Sequence, residues 1–225
     1  MPIFENDHIL VVDKPCGTLV IPPRVADDRP VLQKKLEEQI GARLWVVHRL
    51  DFEVSGILIF AKTAAAHRVL SQDFEHHRIR KTYEAVTEPG TGVIPPEGTQ
   101  WRSKLVRGKR RVFRGGHGKE SLTEVLSAQA FEMGAEPAKL WRISPITGRS
   151  HQLRFELADR GWPIWGDSLY GSSKKFMDAS IALRAVRVDL AKSLAPRDLG
   201  APEYLEVSGI TNSLRSVSGS AKQSR

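Results

Sequence analysis

Three short stretches of this chain hold residue types able to do chemistry. In the first, residues 46–56, an apolar run delivers His48, Arg49 and Asp51 to a charged corner. Leu50 lies between the two charges, where an apolar side chain can anchor the corner in a core. Ser55-Gly56 lets the chain turn into a second apolar run, Ile57–Ala61. A carboxylate held at the mouth of a sheet and partly desolvated suits a nucleophile or a base. An aspartate that only hydrogen-bonds its own turn has the same local pattern.

The second stretch covers residues 145–171. Gly148 permits a tight bend, Ser150 is the expected cap of a following helix, and Arg149 with the free N–H groups of its first turn would suit a phosphate. Arg154 stands three residues after His151, so both can project from one helix face. The alternative is a solvated helix with surface charges. The third stretch is Lys81-Thr82-Tyr83 in a segment of β character, where the tyrosine is either a site residue or part of the sheet.

The surrounding elements must position these groups. Ile9–Val12 reads as a buried strand, ended by the turn Lys14-Pro15-Cys16-Gly17. Residues 30–40 suit a helix with Asp28 as N-cap, Pro30 near the first turn and Gly41 as its stop. Thr63 is expected to cap a helix whose Ala66, Val69, Leu70 and Phe74 share an apolar face. Residues 89–119, punctuated by Pro and Gly, are expected to be the least ordered, and they contain the basic run 107–119. Residues 121–131 and 138–144 read as antiparallel strands joined by residues 132–137, and residues 181–190 and 203–207 as further strands. Strands and helices alternate without a βαβ rhythm, so one α+β domain with a mixed, largely antiparallel sheet flanked by helices is expected over residues 1–210. Residues 211–225, small, polar and basic, are expected to form a disordered tail.

Lys and Arg number 34 against 26 Asp and Glu, a formal charge of +8 in 225 residues. Such an excess draws polyanions, chiefly nucleic acid. Cys16 is the only cysteine, which excludes an intramolecular disulfide and a cysteine-based zinc cluster; it is read as a turn residue. No apolar run reaches the roughly 20 residues of a membrane span, and no secretory signal opens the chain, so a cytoplasmic location is expected.

Taken together, residues 7–20 (DHILVVDKPCGTLV), HRLD followed by Ser55-Gly56, Lys81-x-Tyr83, and TGRSHQLR followed by G-x-P-I-x-G-D-x-x-Y-G resemble the RluA-type pseudouridine synthases, in order and over roughly residues 4–188. The resemblance implies an RNA isomerase that converts uridine to pseudouridine without cofactor or metal. It makes Asp51 the essential carboxylate. Tyr83 would stack on the target uracil and assist proton transfer, and Arg154 would be the ion-pair partner of Asp51. Arg49 would fill the space left by the extruded base. Arg149, Lys81, His48 and Leu153 join the expected substrate contacts. RNA, rRNA or tRNA, is the expected partner of a monomer with no obligate protein partner. Attack by Asp51 on the sugar, attack on the base and removal of a ribose proton all remain open. A base within a helix is unreachable, so the target must be flipped, at a few kcal/mol that stacking and an inserted side chain can offset.

The chain departs from the family pattern in three places. Val54 stands where a threonine is common, Arg184 replaces the histidine of a Leu-His-Ala pattern, and Trp162 and Trp165 stand where smaller residues are usual. Arg184 is read as an RNA contact or a surface change, and the tryptophans as core or as a stacking surface. Many relatives carry a small helical RNA-binding domain ahead of this segment. Here substrate choice is expected to come from the catalytic surface, including residues 107–119. Two other readings stand beside the isomerase: an RNA-binding protein or chaperone on the same fold, and a hydrolase, which would need a second carboxylate or a metal that the sequence does not make evident.

Overall fold

A computed structural model of the chain describes residues 2–25 and 27–211. Strands β1 (Pro2–Glu5) and β2 (Ile9–Lys14) are followed by α1 (Leu32–Ile40), β3 (Trp45–Val46), β4 (Ser55–Ala61), α2 (Ala64–Glu75) and β5 (Arg80–Thr87). The chain continues through β6 (Gln100–Arg107), β7 (Val112–Arg114), β8 (Lys119–Met133), β9 (Glu136–Pro145) and α3 (Gln152–Asp159). A 3-10 turn at Ser168–Tyr170, β10 (Leu183–Asp189), α4 (Ala195–Leu199) and β11 (Tyr204–Glu206) complete it. The strands form one sheet in the order β1-β2-β4-β10-β5-β9-β8-β6-β7, with β3 beside β4 and β11 beside β10. Among the described strands β4 and β10 pair in parallel, and the other pairings are antiparallel. The α+β class and the mixed, largely antiparallel sheet are as the sequence leads one to expect.

The period-2 alternation of a strand sends successive side chains to opposite faces, and here both faces of the central strands are covered. Ile9, Val11, Ile57, Ile59 and Ala61 pack with α2 and α4, through Ala66, Leu70 and Leu199. Leu10, Val12, Leu58 and Phe60 belong to the core on the other face, which also takes in Leu36 of α1 and Leu153 and Leu157 of α3. At the central parallel crossing, a Cβ on Gly56 would lie 2.1 Å from the Ala185 carbonyl oxygen, and its φ is +115°. Only glycine allows β10 to approach β4 directly after the Asp51 corner.

Several local expectations are corrected. α1 begins at Leu32 with no side-chain cap, not from Asp28. Leu19 pairs with the segment before it: its N–H reaches Pro30 O at 2.9 Å, and its carbonyl receives Leu32 N–H at 2.8 Å. That pairing holds Val31 extended and delays the helix. Thr63 caps α2 as expected, its hydroxyl accepting Ala66 N–H at 3.1 Å. Residues 100–107 and 112–114, inside the stretch expected to lack order, form the hairpin β6–β7, because Trp101, Leu105 and Val112 alternate into a buried layer. The β8–β9 hairpin is longer than expected: Met133 pairs with Glu136, leaving Gly134-Ala135 as its turn. Of the expected basic tail, residues 211–225, all but Thr211 lie outside the described residues.

Candidate active site

The Asp51 corner lies between β3 and β4, with its backbone carbonyls pinned. Asp51 O accepts from Val54 N–H at 3.2 Å, and Glu53 O from Ile181 N–H at 3.3 Å. Phe52 O accepts from Thr18 N–H and from the Lys14 ammonium, both at 3.4 Å. Lys14 is fully buried and also donates to Thr18 O at 2.7 Å and Pro15 O at 3.0 Å. Burial pulls its pKa down to about 8, while the charges of Cys16, Asp51 and Glu53 oppose the fall. The sequence motif thus becomes a rigid turn that presents the Asp51 carboxylate, 30% exposed, to a cleft of about 1110 Å³.

Arg154 organises the charges there. Its guanidinium, 2% exposed, grips Asp167 in a bidentate pair, Nε to Oδ2 at 2.7 Å and Nη2 to Oδ1 at 2.8 Å. Its remaining nitrogen, Nη1, lies 3.4 Å from Asp51 Oδ2 and 3.3 Å from Glu53 Oε2. Burial alone would disfavour the cation. Asp167, then Glu53 and Asp51, more than compensate and push its pKa above the ordinary arginine value. The fork-shaped guanidinium serves three carboxylates at once, which a lysine's single ammonium would not match.

Tyr83, on β5, is 6% exposed and stands in the cluster beneath the cleft. Burial first, then the Asp51 charge, raise its pKa, so the phenol stays neutral. Its hydroxyl has no hydrogen-bond partner among the described residues and opens on the cleft. His151 places Nε2 3.9 Å from Asp51 Oδ2, so His151 and Arg154 share one face as their spacing suggests.

The remaining expected contacts fall in different surroundings. Arg49 is exposed at the cleft and has no ion-pair partner among the described residues. Leu153 is buried in the main core and reaches the cleft from beneath. Lys81 lines the cleft with its ammonium 5.8 Å from the Phe74 ring, and burial brings its pKa down to about 8. Arg149 turns its Nε to Glu120 O at 2.8 Å, and its own N–H is taken by Gln152 Oε1 at 3.0 Å. The Nε and backbone N–H of Arg149 are thus engaged within the protein. α3 is capped by His151, not Ser150, and six successive residues from Gln152 to Leu157 are buried.

His48 serves the fold as well as the cleft wall. Its Nε2 accepts Ile59 N–H at 3.0 Å, and its ring lies 4.7 Å from that of Phe74. Burial, aided by the Lys81 charge, lowers its pKa to about 3. The unfolded chain takes up this proton near pH 6.5, whereas the folded chain resists it until about pH 3. Between those values the unfolded state binds more protons, so stability is full above pH 6.5 and falls as the pH drops. The loss is at most about 1.4 kcal/mol per pH unit. In urea melts from pH 7 to pH 4.5, His48→Gln is expected to lose less stability on acidification than the parent. Parallel losses would clear His48 of the effect.

The structure adds residues that the sequence reading did not single out. Glu53 is a second carboxylate beside Asp51, contrary to the expectation that none is at hand. Both contact the same Arg154 nitrogen and so lie on one side of the reacting space. Glycoside hydrolysis needs its two carboxylates flanking the scissile bond. Asp167 and Tyr170, inside the quoted G-D-x-x-Y-G pattern, wrap Arg154, and its guanidinium carbon lies 5.4 Å from the Tyr170 ring centroid. Arg184 is no surface contact: it is 7% exposed and ties Asp13 of β2 (2.5 Å), Ser55 Oγ of β4 (3.2 Å) and Ser208 O (2.9 Å) together behind the corner. Val54 is 2% exposed, and Trp162 and Trp165 are each 4% exposed, so all three are core.

Comparison with known proteins agrees with this geometry. The sequence pattern of the RNA pseudouridylate synthase family matches residues 8–159. The dual-specificity RNA pseudouridine synthase RluA of Vibrio vulnificus is 36% identical over 181 residues, 77% of this chain and 70% of that protein. The Escherichia coli K12 protein of the same name is 31% identical over 210 residues, 91% of this chain and 85% of its own length. In fold, the chain resembles human RNA pseudouridylate synthase domain containing 1, with a TM-score of 0.71 at 21% identity, over 96% of this chain and 93% of that one. Matched by this family over most of its length, this chain, whose cleft sets the arginine-held Asp51 and Glu53 beside a neutral tyrosine, belongs to the RNA pseudouridine synthase family.

Proposed function

We propose that the catalytic domain spans residues 1–210, acts as a monomer in the cytoplasm and isomerises uridines in structured rRNA or tRNA, with Asp51 as its reacting carboxylate. The observation that carries this reading is the Asp51–Arg154 pair in an open cleft, facing a Tyr83 hydroxyl that has no partner among the described residues. The reaction breaks the C1′–N1 bond of uridine and joins C1′ to C5. N1 gains a proton and C5 loses one. Arg154 aims the Asp51 carboxylate at the nucleoside, while Tyr83 offers a ring for stacking and a neutral O–H close to the base. Arg49, exposed and without an ion-pair partner among the described residues, is suited to occupy the stack vacated by a flipped base. The dual specificity named for the relatives supports more than one RNA as substrate.

Tritium release from rRNA and tRNA transcripts labelled at uridine C5 tests this reading. Release by the parent and none by Asp51→Asn is expected. Release that survives this substitution would remove Asp51 from the reaction.

The tip of the β6–β7 hairpin supplies an electrostatic footprint beside the cleft. Lys109, Arg110 and Arg111 are exposed, line the cleft mouth and have no ion-pair partner among the described residues. Phosphate neutralisation releases condensed counterions, so three such contacts would contribute about 2 to the slope of log K against log salt. Replacing all three with serine is expected to weaken RNA binding and flatten that slope by about 2. Unchanged affinity across salt would show that RNA does not touch the tip.

A further inference from the structure

We propose that His151 is the positioning residue for Asp51, and that Tyr170 links it to the β6–β7 hairpin, so that the seating of RNA on the hairpin reaches the carboxylate. The proposal rests on the reading of Asp51 as the reacting group. It starts from a backbone oddity. His151 adopts φ +50°, a left-handed conformation that costs a non-glycine residue about 1 kcal/mol. Its side chain makes no capping bond to α3, so capping does not explain the conformation. What the conformation does is set the imidazole between Tyr170 and Asp51.

The proposal assigns a hydrogen-bond polarity along this line. Tyr170 Oη accepts Val112 N–H at 2.8 Å, and in the proposed line its own proton is given to His151 Nδ1, 3.1 Å away. An acceptor at Nδ1 puts the ring proton on Nε2, the atom that faces Asp51 Oδ2 at 3.9 Å. The Tyr170 ring meets the imidazole edge-on at 5.8 Å, with the Arg154 guanidinium over its face, which restricts the phenol from two sides. Burial lowers the His151 pKa, against the pull of Asp51, so the ring is a neutral donor at pH 7. Asp51, Arg154, Glu53 and Asp167 are the charged groups that act on it.

The separation of 3.9 Å is about 1 Å beyond a hydrogen bond. Site contacts of this kind are commonly long before substrate binds and shorten in the complex. The element able to close the gap is the hairpin: Val112 directly follows Lys109–Arg111 and pairs with Arg107 across the turn. A shift of the tip toward RNA is transmitted to Tyr170 through the Val112 N–H, and from Tyr170 to His151. The second donor then fixes a carboxylate that otherwise shares one arginine nitrogen with Glu53.

Asparagine tolerates left-handed φ and is too short to reach Asp51. His151→Asn should therefore keep the melting temperature and the RNA affinity of the parent while kcat in C5-tritium release falls about 10²-fold, the scale of an ångström-level misplacement. Tyr170→Phe should lower kcat similarly, and the double variant should be no worse than either single one, because both cut the same line. Parent release that stops with Asp51→Asn establishes the underlying reading on the same RNA, separately from these variants. Full kcat in His151→Asn, or additive losses in the double variant, would overturn the proposal. Without RNA, the 15N shifts of the His151 ring should report a proton on Nε2 in the parent and a mixture of tautomers in Tyr170→Phe. A proton on Nδ1 in the parent would also overturn it.

Discussion

Asp51→Asn should bind RNA as the parent does and isomerise nothing measurable. The substitution keeps the size of the side chain and an oxygen for Arg154 Nη1, now 3.4 Å away, and it removes the charge. Because Asp51 is 30% exposed and its turn is held by backbone carbonyls, the fold should be little affected. Removal of an essential nucleophilic or acid–base group costs about 10³-fold or more in rate. RNA affinity, which the proposed reading places on the basic hairpin and on Arg49, should stay within about threefold. Single-turnover tritium release together with filter binding separates the two quantities. A variant that binds and still releases tritium at a tenth of the parent rate would assign the chemistry elsewhere, and Glu53 would be the next residue to replace.

Under the proposed reaction one carboxylate suffices although two are present. Uracil can leave as a delocalised anion and must be recaptured, so no second group is required to protonate a leaving group or activate water. Glu53 draws on the same Arg154 nitrogen as Asp51, which spreads the arginine's pull over both. Water exclusion falls to the walls of the cleft, the Tyr83 ring, Leu153 and the hairpin tip.

The convergence of Asp51, Tyr83 and Arg154 on one cleft was legible in the sequence because each sits in a short motif whose spacing survives into the fold. Glu53 was not, since a glutamate two residues into a turn carries no local signal. Its meaning arises from Arg154, which lies 101 residues further along. Asp167 and Tyr170 stood in a recognised pattern, but their contact with Arg154 and His151 depends on how the loop after α3 folds back. The β6–β7 hairpin was hidden by flanking Gly and Pro and by basic residues that alternate with Trp101, Ser103 and Leu105. The start of α1 could not be read locally either, because the Leu19 backbone pairs with Pro30 and Leu32 and overrides the capping signal of Asp28. Arg184 reads as an exposed basic residue in a strand, yet the parallel pairing of β4 and β10 brings Asp13 and Ser55 to it.

Arg154→Met is the substitution expected to harm both stability and activity most. It replaces the guanidinium with a shorter apolar chain and leaves Asp167, 1% exposed, without its bidentate partner. Breaking a buried ion pair by removing one member typically costs about 3–5 kcal/mol, because the other charge stays buried and uncompensated. For a chain of this size that is a fall of roughly 10 °C in melting temperature. Asp51 and Glu53 also lose the cation between them and repel each other, so tritium release should vanish even where the variant is folded. The separate causes can be resolved by a second change. Arg154→Met with Asp167→Leu removes the stranded charge, and its stability should recover by at least half, while activity should stay absent because Asp51 still lacks its partner. Urea melts of the parent and both variants measure the first effect, and tritium release measures the second. If the double variant melts no higher than Arg154→Met, the loss comes from packing around α3 and not from the carboxylate of Asp167.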